Sequence, residues 1–344
     1  MTTKGFDVAV VGATGAVGGT LISILAERNF PVQKLYPLAS ERSVEKTVLF
    51  NGKNLPVKEL STFDFSKVQI AFFSAGSSVS QEYVKKAAQA GAWVIDNTSC
   101  FRYDNEIPLV VSEVNPDDLA MAKTHHIIAN PNCSTMQMMV ALKPIYDAVG
   151  ITRINVATYQ AVSGAGRKAV SELASQAASL LNGQSVVSTV FPTQIAFNVF
   201  PHIDEFQDNG YTREEMKMVW ETQKILHDPS IQVNATAVRV PVFYGHSEAI
   251  HLETKQPLRV EEVYKLLAKA PGVKVFKKPE DYPTAFKHAT NHDAVWVGRI
   301  RRDISHPMGL NLWVVSDNVR KGAALNAVQI AELLLKKHMI DAKI

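Results

Sequence analysis

The stretch Val8-Ala9-Val10-Val11-Gly12-Ala13-Thr14-Gly15-Ala16-Val17-Gly18 decides the fold of the first part of this chain. Four successive apolar residues read as a strand covered on both faces. Gly12 to Gly15 then turns the chain. Val17, Leu21, Ile24 and Leu25 recur on one face of a helix running to about Asn29. Gly12, Gly15 and Gly18 form G-x-x-G-x-x-G between strand and helix. The first glycine permits the tight turn, and the second lets backbone approach a pyrophosphate, whose charge a helix N-terminus favours. The spacing is a variant of the usual fingerprint. Its strand-turn-helix setting makes it a dinucleotide site, with Gly12, Thr14, Gly15, Ala16 and Val17 as candidate coenzyme contacts.

Working outward, strands are predicted at Lys34–Ala39, Val68–Ser74, Ala92–Asp96 and Ile127–Ala129, with a helix over Val79–Ala90 that Gly91 ends. Repeated β-α-β units with right-handed crossovers give an α/β domain over residues 1–132, a doubly wound, Rossmann-like parallel sheet. The second strand leads into Ser40-Glu41-Arg42-Ser43. An acidic residue here serves the ribose 2′-hydroxyl of NAD, whereas a 2′-phosphate calls for Arg. Arg42 between the hydroxyls of Ser40 and Ser43 favours NADP; Glu41, turned inward, would serve NAD.

The chain has 344 residues, enough for two domains at about 150 residues each. With 46% apolar and 20% charged residues, it is neither disordered nor fibrous. A net charge of +3 is too mild to drive nucleic-acid binding. No apolar run approaches the roughly 20 residues that cross a bilayer, and the N-terminus enters a strand pattern without room for a signal peptide. A cytoplasmic protein is expected, bound to neither membrane nor nucleic acid. Cys100 and Cys133 are too few for a disulfide framework.

Beyond Cys133 the texture changes. A helix over Ser134–Val149 precedes strands at Thr152–Gln160, Val233–Val242, Ser247–Glu253, Val295–Arg301 and Leu310–Val315, with helices at 168–181, 213–226 and 260–270. Strands outnumber crossovers, which favours an α+β domain over residues 133–318 with a mixed or antiparallel sheet. A last helix, about 319–338, places Leu325, Val328, Ala331, Leu334 and Leu335 on one stripe and is expected to pack back on the first domain. Residues 271–293 read as a loop or lid, and 44–57 and 184–210 carry no assignable pattern. His288 and His292 are i, i+4 beside Asp293, but no Glu follows the first His and the segment is loop-like, so no metal site is expected.

Asn130-Pro131-Asn132-Cys133-Ser134-Thr135 carries the second chemical signal. Cys133 sits where a strand ends and a helix begins, near the carboxyl ends of the parallel strands. The helix N-terminus favours the thiolate, which is the nucleophile. Polar neighbours argue against an inert buried cysteine; Cys100 lacks this placement. A thiolate beside a nicotinamide suits one reaction type. Addition to an aldehyde gives a thiohemiacetal, loss of hydride leaves a thioester, and a second nucleophile releases the acyl group. Such chemistry needs an acid/base, usually His.

Gly12 to Gly18, Asp96-Asn97-Thr98-Ser99, Asn130 to Thr135, Tyr159-Gln160-Ala161-Val162-Ser163-Gly164-Ala165-Gly166, Arg239-Val240-Pro241 and Gly245-His246-Ser247-Glu248 together resemble the bacterial aspartate-β-semialdehyde dehydrogenases, from the first strand to Ser316-Asp317-Asn318 and the helix beyond. The resemblance implies conversion of L-aspartate 4-semialdehyde, phosphate and NADP⁺ to L-4-aspartyl phosphate and NADPH, the reverse direction feeding lysine, threonine and methionine synthesis. It implies Cys133 as acyl-thioester nucleophile, His246 as acid/base and Gln160 as the residue that orients substrate. Arg239 would grip the α-carboxylate as a fork. Arg102 and Lys217 match the phosphate ligands, and Glu214 the partner of the substrate ammonium. Glu214 and Lys217 are i, i+3 on a predicted helix, so both can face one site, although an ordinary surface ion pair has the same spacing. Ser163 and Gly164 match coenzyme contacts near the nicotinamide, and Asn318 a far-end coenzyme contact. A homodimer built through the C-terminal domains is also implied. The rival readings are another acyl-phosphate reductase, such as N-acetyl-glutamyl-phosphate reductase, and a regulator that binds NADP without turnover.

Overall fold

The computed structural model describes residues 5–340. They divide into two compact units, one running to Pro131 and resuming at Ala323, the other running from Asn132 to Gly322. The first unit contains β1 (Phe6–Val11), α1 (Ala16–Glu27), β2 (Val32–Ala39), a hairpin of β3 (Thr47–Phe50) and β4 (Lys53–Pro56), then β5 (Lys58–Glu59), β6 (Ile70–Phe73), α2 (Ser77–Gln89), β7 (Trp93–Asp96) and β8 (Ile127–Ala129). Its main sheet has the order β5-β2-β1-β6-β7-β8, and every pairing is parallel. The order reverses between β1 and β6, and at such a switch point the strand ends open a ligand crevice.

The second unit holds α3 (Cys133–Val149), β9 (Ile151–Gln160), α4 (Arg167–Leu181), α5 (Arg213–Leu226), β10 (Gln232–Arg239), β11 (His246–Thr254), α6 (Val260–Lys269), β12 (Val273–Val275), β13 (Val295–Arg302) and β14 (Gly309–Ser316). Its sheet, β10-β9-β11-β14-β13-β12, is mixed: β10 pairs with β9 and β12 with β13 in parallel, and the other neighbours are antiparallel. Side chains alternate between faces. Ile154, Val156, Ile250, Leu252, Leu310 and Leu312 therefore form apolar rows on the inner face, all buried, and α3 packs against β9, β11, β13 and β14. The chain then returns to the first unit. There α7 (Asn326–Lys336) sets Val328, Ile330, Ala331 and Leu334 into one core with Leu21 and Leu25 of α1.

Several expectations need correction. The unassigned stretch 44–57 folds as the β3–β4 hairpin, turned on Asn51-Gly52 with φ of 47° and 75°. Positive φ at both central residues is the geometry that Asn-Gly supplies. Residues 271–293 are not a plain loop or lid. They contain β12 and a π-helical turn at Ala285–Ala289, and Trp313 donates its indole N–H to the Pro283 carbonyl at 2.9 Å. The last helix does not run unbroken from 319; a π-helical segment, Arg320–Leu325, precedes it. β10 stops at Arg239 rather than Val242, since Pro241 has no N–H to continue the ladder. Among the described residues, no helix is long and apolar enough to cross a membrane.

Candidate active site

The crevice of the first unit has a volume of about 520 Å³ and is lined by Gly12, Thr14 and Gly15, by Ser74 and Ala75 after β6, and by Ser40, Glu41, Ser43 and Glu59 at its other end. Gly12 has φ of +83°, and a Cβ there would lie 2.8 Å from the Ser74 carbonyl oxygen. At Gly18 a Cβ would lie 2.2 Å from the Gly12 oxygen, so this glycine lets α1 close on the turn. No side chain caps α1, and its first turn carries no acidic residue. N–H groups that no side chain caps, a helix dipole and a close turn make a cradle that a dinucleotide pyrophosphate fits. Arg42 is exposed and does not line this crevice, whereas Glu41 does.

In the second unit, Cys133 opens α3 one position after its N-cap, Asn132. The Asn132 Oδ1 accepts from the backbone N–H of Ser134 at 3.0 Å and of Thr135 at 3.3 Å. Its own N–H donates to Glu221 at 2.6 Å, and its Nδ2 donates to Glu214 at 2.9 Å. Cys133 is half-buried and, like Cys100, is not in a disulfide. The α3 dipole and the nearby Arg239 charge both favour its thiolate. Gly322 keeps space beside it, since a Cβ there would lie 2.7 Å from that of Cys133. Burial pushes the Cys100 thiol up instead.

The remaining groups come from one row of the sheet. Arg239 on β10 pairs with Gln160 on β9, and His246 on β11 pairs with Ser316 on β14. One step beyond the Ser247–Tyr159 pair, His246 and Gln160 lie on neighbouring strands, so the row reads Arg239, Gln160, His246, Ser316. Arg239 and His246, seven residues apart, thus flank Gln160 because the chain crosses over the end of β9 between them. His246 is fully buried, and its Nδ1 accepts from the Ala161 N–H at 3.0 Å. A neutral ring so held carries its proton on Nε2, a buried atom with no partner. Burial and the adjacent Arg239 guanidinium push the His246 pKa down to about 3. Gly164 faces both side chains: a Cβ there would lie 3.4 Å from Arg239 Nη1 and 3.5 Å from His246 Nε2. Arg239 Nη1 donates to the Ala161 carbonyl at 2.8 Å.

Glu214 and Lys217 form an ion pair between a buried carboxylate and a partly buried ammonium, not a solvated surface pair. Glu214 is 5% exposed and accepts from Asn132 at 2.9 Å, Gln160 at 3.0 Å and Lys217 at 2.9 Å. Burial alone would raise its pKa, but the Lys217 ammonium and these hydrogen bonds outweigh it and lower it to about 2. Lys217 also donates to Asp204 at 2.6 Å. Burial opposes its charge, and the two carboxylates more than restore it, raising its pKa. Asn318 is buried; its Oδ1 accepts from the Gly245 N–H at 2.9 Å, and its Nδ2 lies 3.0 Å from the Ser163 hydroxyl.

The second unit therefore gathers Cys133, Gln160, His246, Arg239, Glu214, Lys217, Ser163, Gly164 and Asn318. Arg102 belongs to the first unit, buried and donating to the Asn97 carbonyl at 3.0 Å. Of the histidine pair, His288 Nδ1 accepts from the Thr284 N–H at 3.0 Å, and Asp293 holds Arg320 at 2.9 Å. Asn132 and Glu221 were not anticipated. The Asn-x-x pattern before a helix signals a cap, but nothing local signals the second role of that amide. Glu248, in the row behind His246 and paired with Thr158, was also missed. It is fully buried, both its carboxyl oxygens lack partners, and burial pushes its pKa well up despite Gln137 of α3 nearby.

Comparison with known proteins agrees with this architecture. Residues 7–122 match the family model described as semialdehyde dehydrogenase, NAD binding domain, and residues 142–321 the one described as semialdehyde dehydrogenase, dimerisation domain. The chain is 63% identical over 336 residues to an aspartate-semialdehyde dehydrogenase of Legionella pneumophila, covering 97% of each. It is 62% identical over 333 residues to that of Shewanella violacea, covering 97% of this chain and 98% of the relative. The crystal structure of aspartate semialdehyde dehydrogenase II from Vibrio cholerae, complexed with ASA, superposes with a TM-score of 0.97 at 60% identity, covering 98% of this chain and all of that one. With a nicotinamide-dinucleotide-binding unit followed by a thiol-bearing mixed-sheet unit, this chain belongs to the aspartate-semialdehyde dehydrogenase family.

Proposed function

We propose that this chain oxidises L-aspartate 4-semialdehyde with phosphate and NADP⁺ to L-4-aspartyl phosphate and NADPH, or runs the reverse in lysine, threonine and methionine synthesis. One observation carries this reading: a half-buried thiol at a helix N-terminus shares its unit with a buried cation, Arg239, and a buried carboxylate, Glu214. An α-amino acid offers the matching carboxylate and ammonium. An N-acetylated substrate has no ammonium for Glu214, which disfavours N-acetyl-glutamyl phosphate. A regulator without turnover would not need the thiol, amide and imidazole together.

The chemistry assigned to the side chains is as follows. The Cys133 thiolate adds to the aldehyde carbon, and the oxyanion so formed takes a hydrogen bond from His246 Nε2–H. Because Nδ1 is engaged by Ala161, His246 acts as donor to that oxygen rather than as base toward the thiol. Gln160, held by Thr158 at 3.0 Å and by Glu214, orients the substrate. Bound NADP⁺ supplies the hydride acceptor. The acyl group left on Cys133 is a thioester; phosphate, held by Arg102 and Lys217, attacks it and the thiolate departs. Gly12, Thr14, Gly15, Ala16 and Val17 would hold the pyrophosphate, Ser163, Gly164 and Asn318 would contact other parts of the coenzyme, and Ser40 and Ser43, which line the crevice, would take the 2′-phosphate together with Arg42, exposed between them in sequence. Glu41 and Glu59 in the same crevice are the features that favour NAD instead.

A cytoplasmic homodimer fits this role. The outward face of the second sheet carries Ala249 and Trp313, which with Tyr282 and exposed Phe286 line an apolar recess of about 590 Å³, and the Tyr159 ring lies 5.6 Å from that of Trp313; such a face suits a second copy. The decisive experiment is mass spectrometry of enzyme incubated with aspartate semialdehyde and NADP⁺ without phosphate. An acyl adduct on Cys133 is expected, and its absence would overturn the thioester route.

A further inference from the structure

Residues 184–210 contain no helix, yet they are pinned from below. Glu172 of α4 accepts from Thr189 N–H at 2.9 Å, Thr189 hydroxyl at 2.6 Å, Val190 N–H at 2.6 Å and Phe191 N–H at 3.4 Å. One turn on, the Gln176 Oε1 accepts from Ile195 N–H at 2.9 Å and Ala196 N–H at 3.2 Å. Successive N–H groups converging on a carboxylate form a nest of the kind that binds anions; here the protein fills it with its own side chain. The segment so fixed buries Phe191, Ile195 and Phe200 against Val162 and Leu173.

This segment grips Arg239 twice. Phe200 and Arg239 exchange both backbone hydrogen bonds, at 3.2 and 2.9 Å, on the open edge of β10. The Arg239 guanidinium carbon lies 5.7 Å from the centre of the Phe191 ring, and that ring meets Phe200 edge-on at 5.9 Å. With Nη1 committed to Ala161, the buried Nε is left without a partner. A guanidinium fixed by a carbonyl and an aromatic face keeps its remaining N–H groups aimed one way.

We infer that Phe191, held in place by Glu172 and Gln176, is a positioning residue for Arg239 and thereby sets the affinity for the substrate carboxylate. The inference rests on Arg239 binding that carboxylate. The test is steady-state kinetics of Phe191→Leu, Phe191→Tyr, Glu172→Gln and Arg239→Lys, each with thermal melts. Phe191→Leu keeps apolar bulk and loses the π face. It should raise KM for aspartate semialdehyde about tenfold, leaving kcat within about twofold and KM for phosphate and NADP⁺ unchanged. Phe191→Tyr should restore wild-type KM, and Glu172→Gln should show the same selective rise, smaller. If Arg239→Lys raises KM for the aldehyde but Phe191→Leu does not, or if Phe191→Leu shifts all three constants alike, the positioning role is overturned. If Arg239→Lys leaves that KM unchanged, the carboxylate assignment itself fails. Should Phe191→Leu not fold, Glu172→Gln decides the matter in the same assay: a selective rise supports the role, and none overturns it.

Discussion

In the coenzyme crevice, the groups that would meet a ligand are largely main-chain ones from a single stretch, Gly12 to Val17. Around Cys133 they are side chains from β9, β10, β11, α3 and α5, up to 113 positions apart from Cys133 to His246. The first arrangement depends on conformation, the second on register. A turn that only glycine can adopt tolerates exchange of its neighbours' side chains. A row of Arg239, Gln160 and His246 assembled across three strands depends on the register of each, and no neighbour in the row carries the same group.

The largest effect expected from this contrast is at His246. His246→Asn should lower kcat about 10²- to 10³-fold; a loss below threefold would remove it from the chemistry. Its depressed pKa also has a sign in stability. The ring is neutral when folded but protonates when unfolded below about 6.5, so stability falls as pH drops from there toward 3. His246→Asn should flatten that part of a pH–denaturation curve. In the crevice, Gly12→Val should weaken NADP⁺ by about tenfold or more, from strain at positive φ and the approach to Ser74. Thr14→Ala should change binding less than threefold; a larger loss would mean that side chains, not backbone, build this site. Arg42→Ala should raise KM for NADP⁺ severalfold more than for NAD⁺, and equal changes would leave the 2′-phosphate to Ser40 and Ser43 alone. The smallest effect is at Glu248. Its raised pKa makes the folded state lose stability as pH rises above about 4.3, where the unfolded carboxyl ionises freely. Glu248→Gln should therefore unfold at higher urea than wild type at pH 8, by about 1 kcal/mol, and a variant no more stable there would show the carboxyl to be ionised and paired.

The same contrast explains what could be read from the chain alone. The parallel sheet was legible because each β-α-β unit is local, and the glycine turn because its constraint is written in consecutive residues. Cys133 was legible for the same reason, as the first residue of a helix. His246 was not: its partner Ala161 lies 85 positions away, and only likeness to a known family singled it out among ten histidines. Glu214 and Lys217 kept the spacing of a solvated pair, and burial alone separates the two cases. The β3–β4 hairpin was missed although Asn51-Gly52 is a strong local signal, because no long apolar alternation surrounds it. Phe191 had no signal at all, since its place comes from Glu172, 19 positions earlier on another element.

Asn132 narrows the protein's options most. Helix starts accept serine, threonine, aspartate and asparagine almost interchangeably. At this one position the same side chain must receive hydrogen bonds at one atom and give one at the other, to α3 and to Glu214 respectively. Aspartate would set two anions face to face, and a hydroxyl is too short to reach both ways. A vocabulary of four caps contracts here to a single letter, the one that lets the helix opened by Cys133 and the buried Glu214 carboxylate hold each other in place.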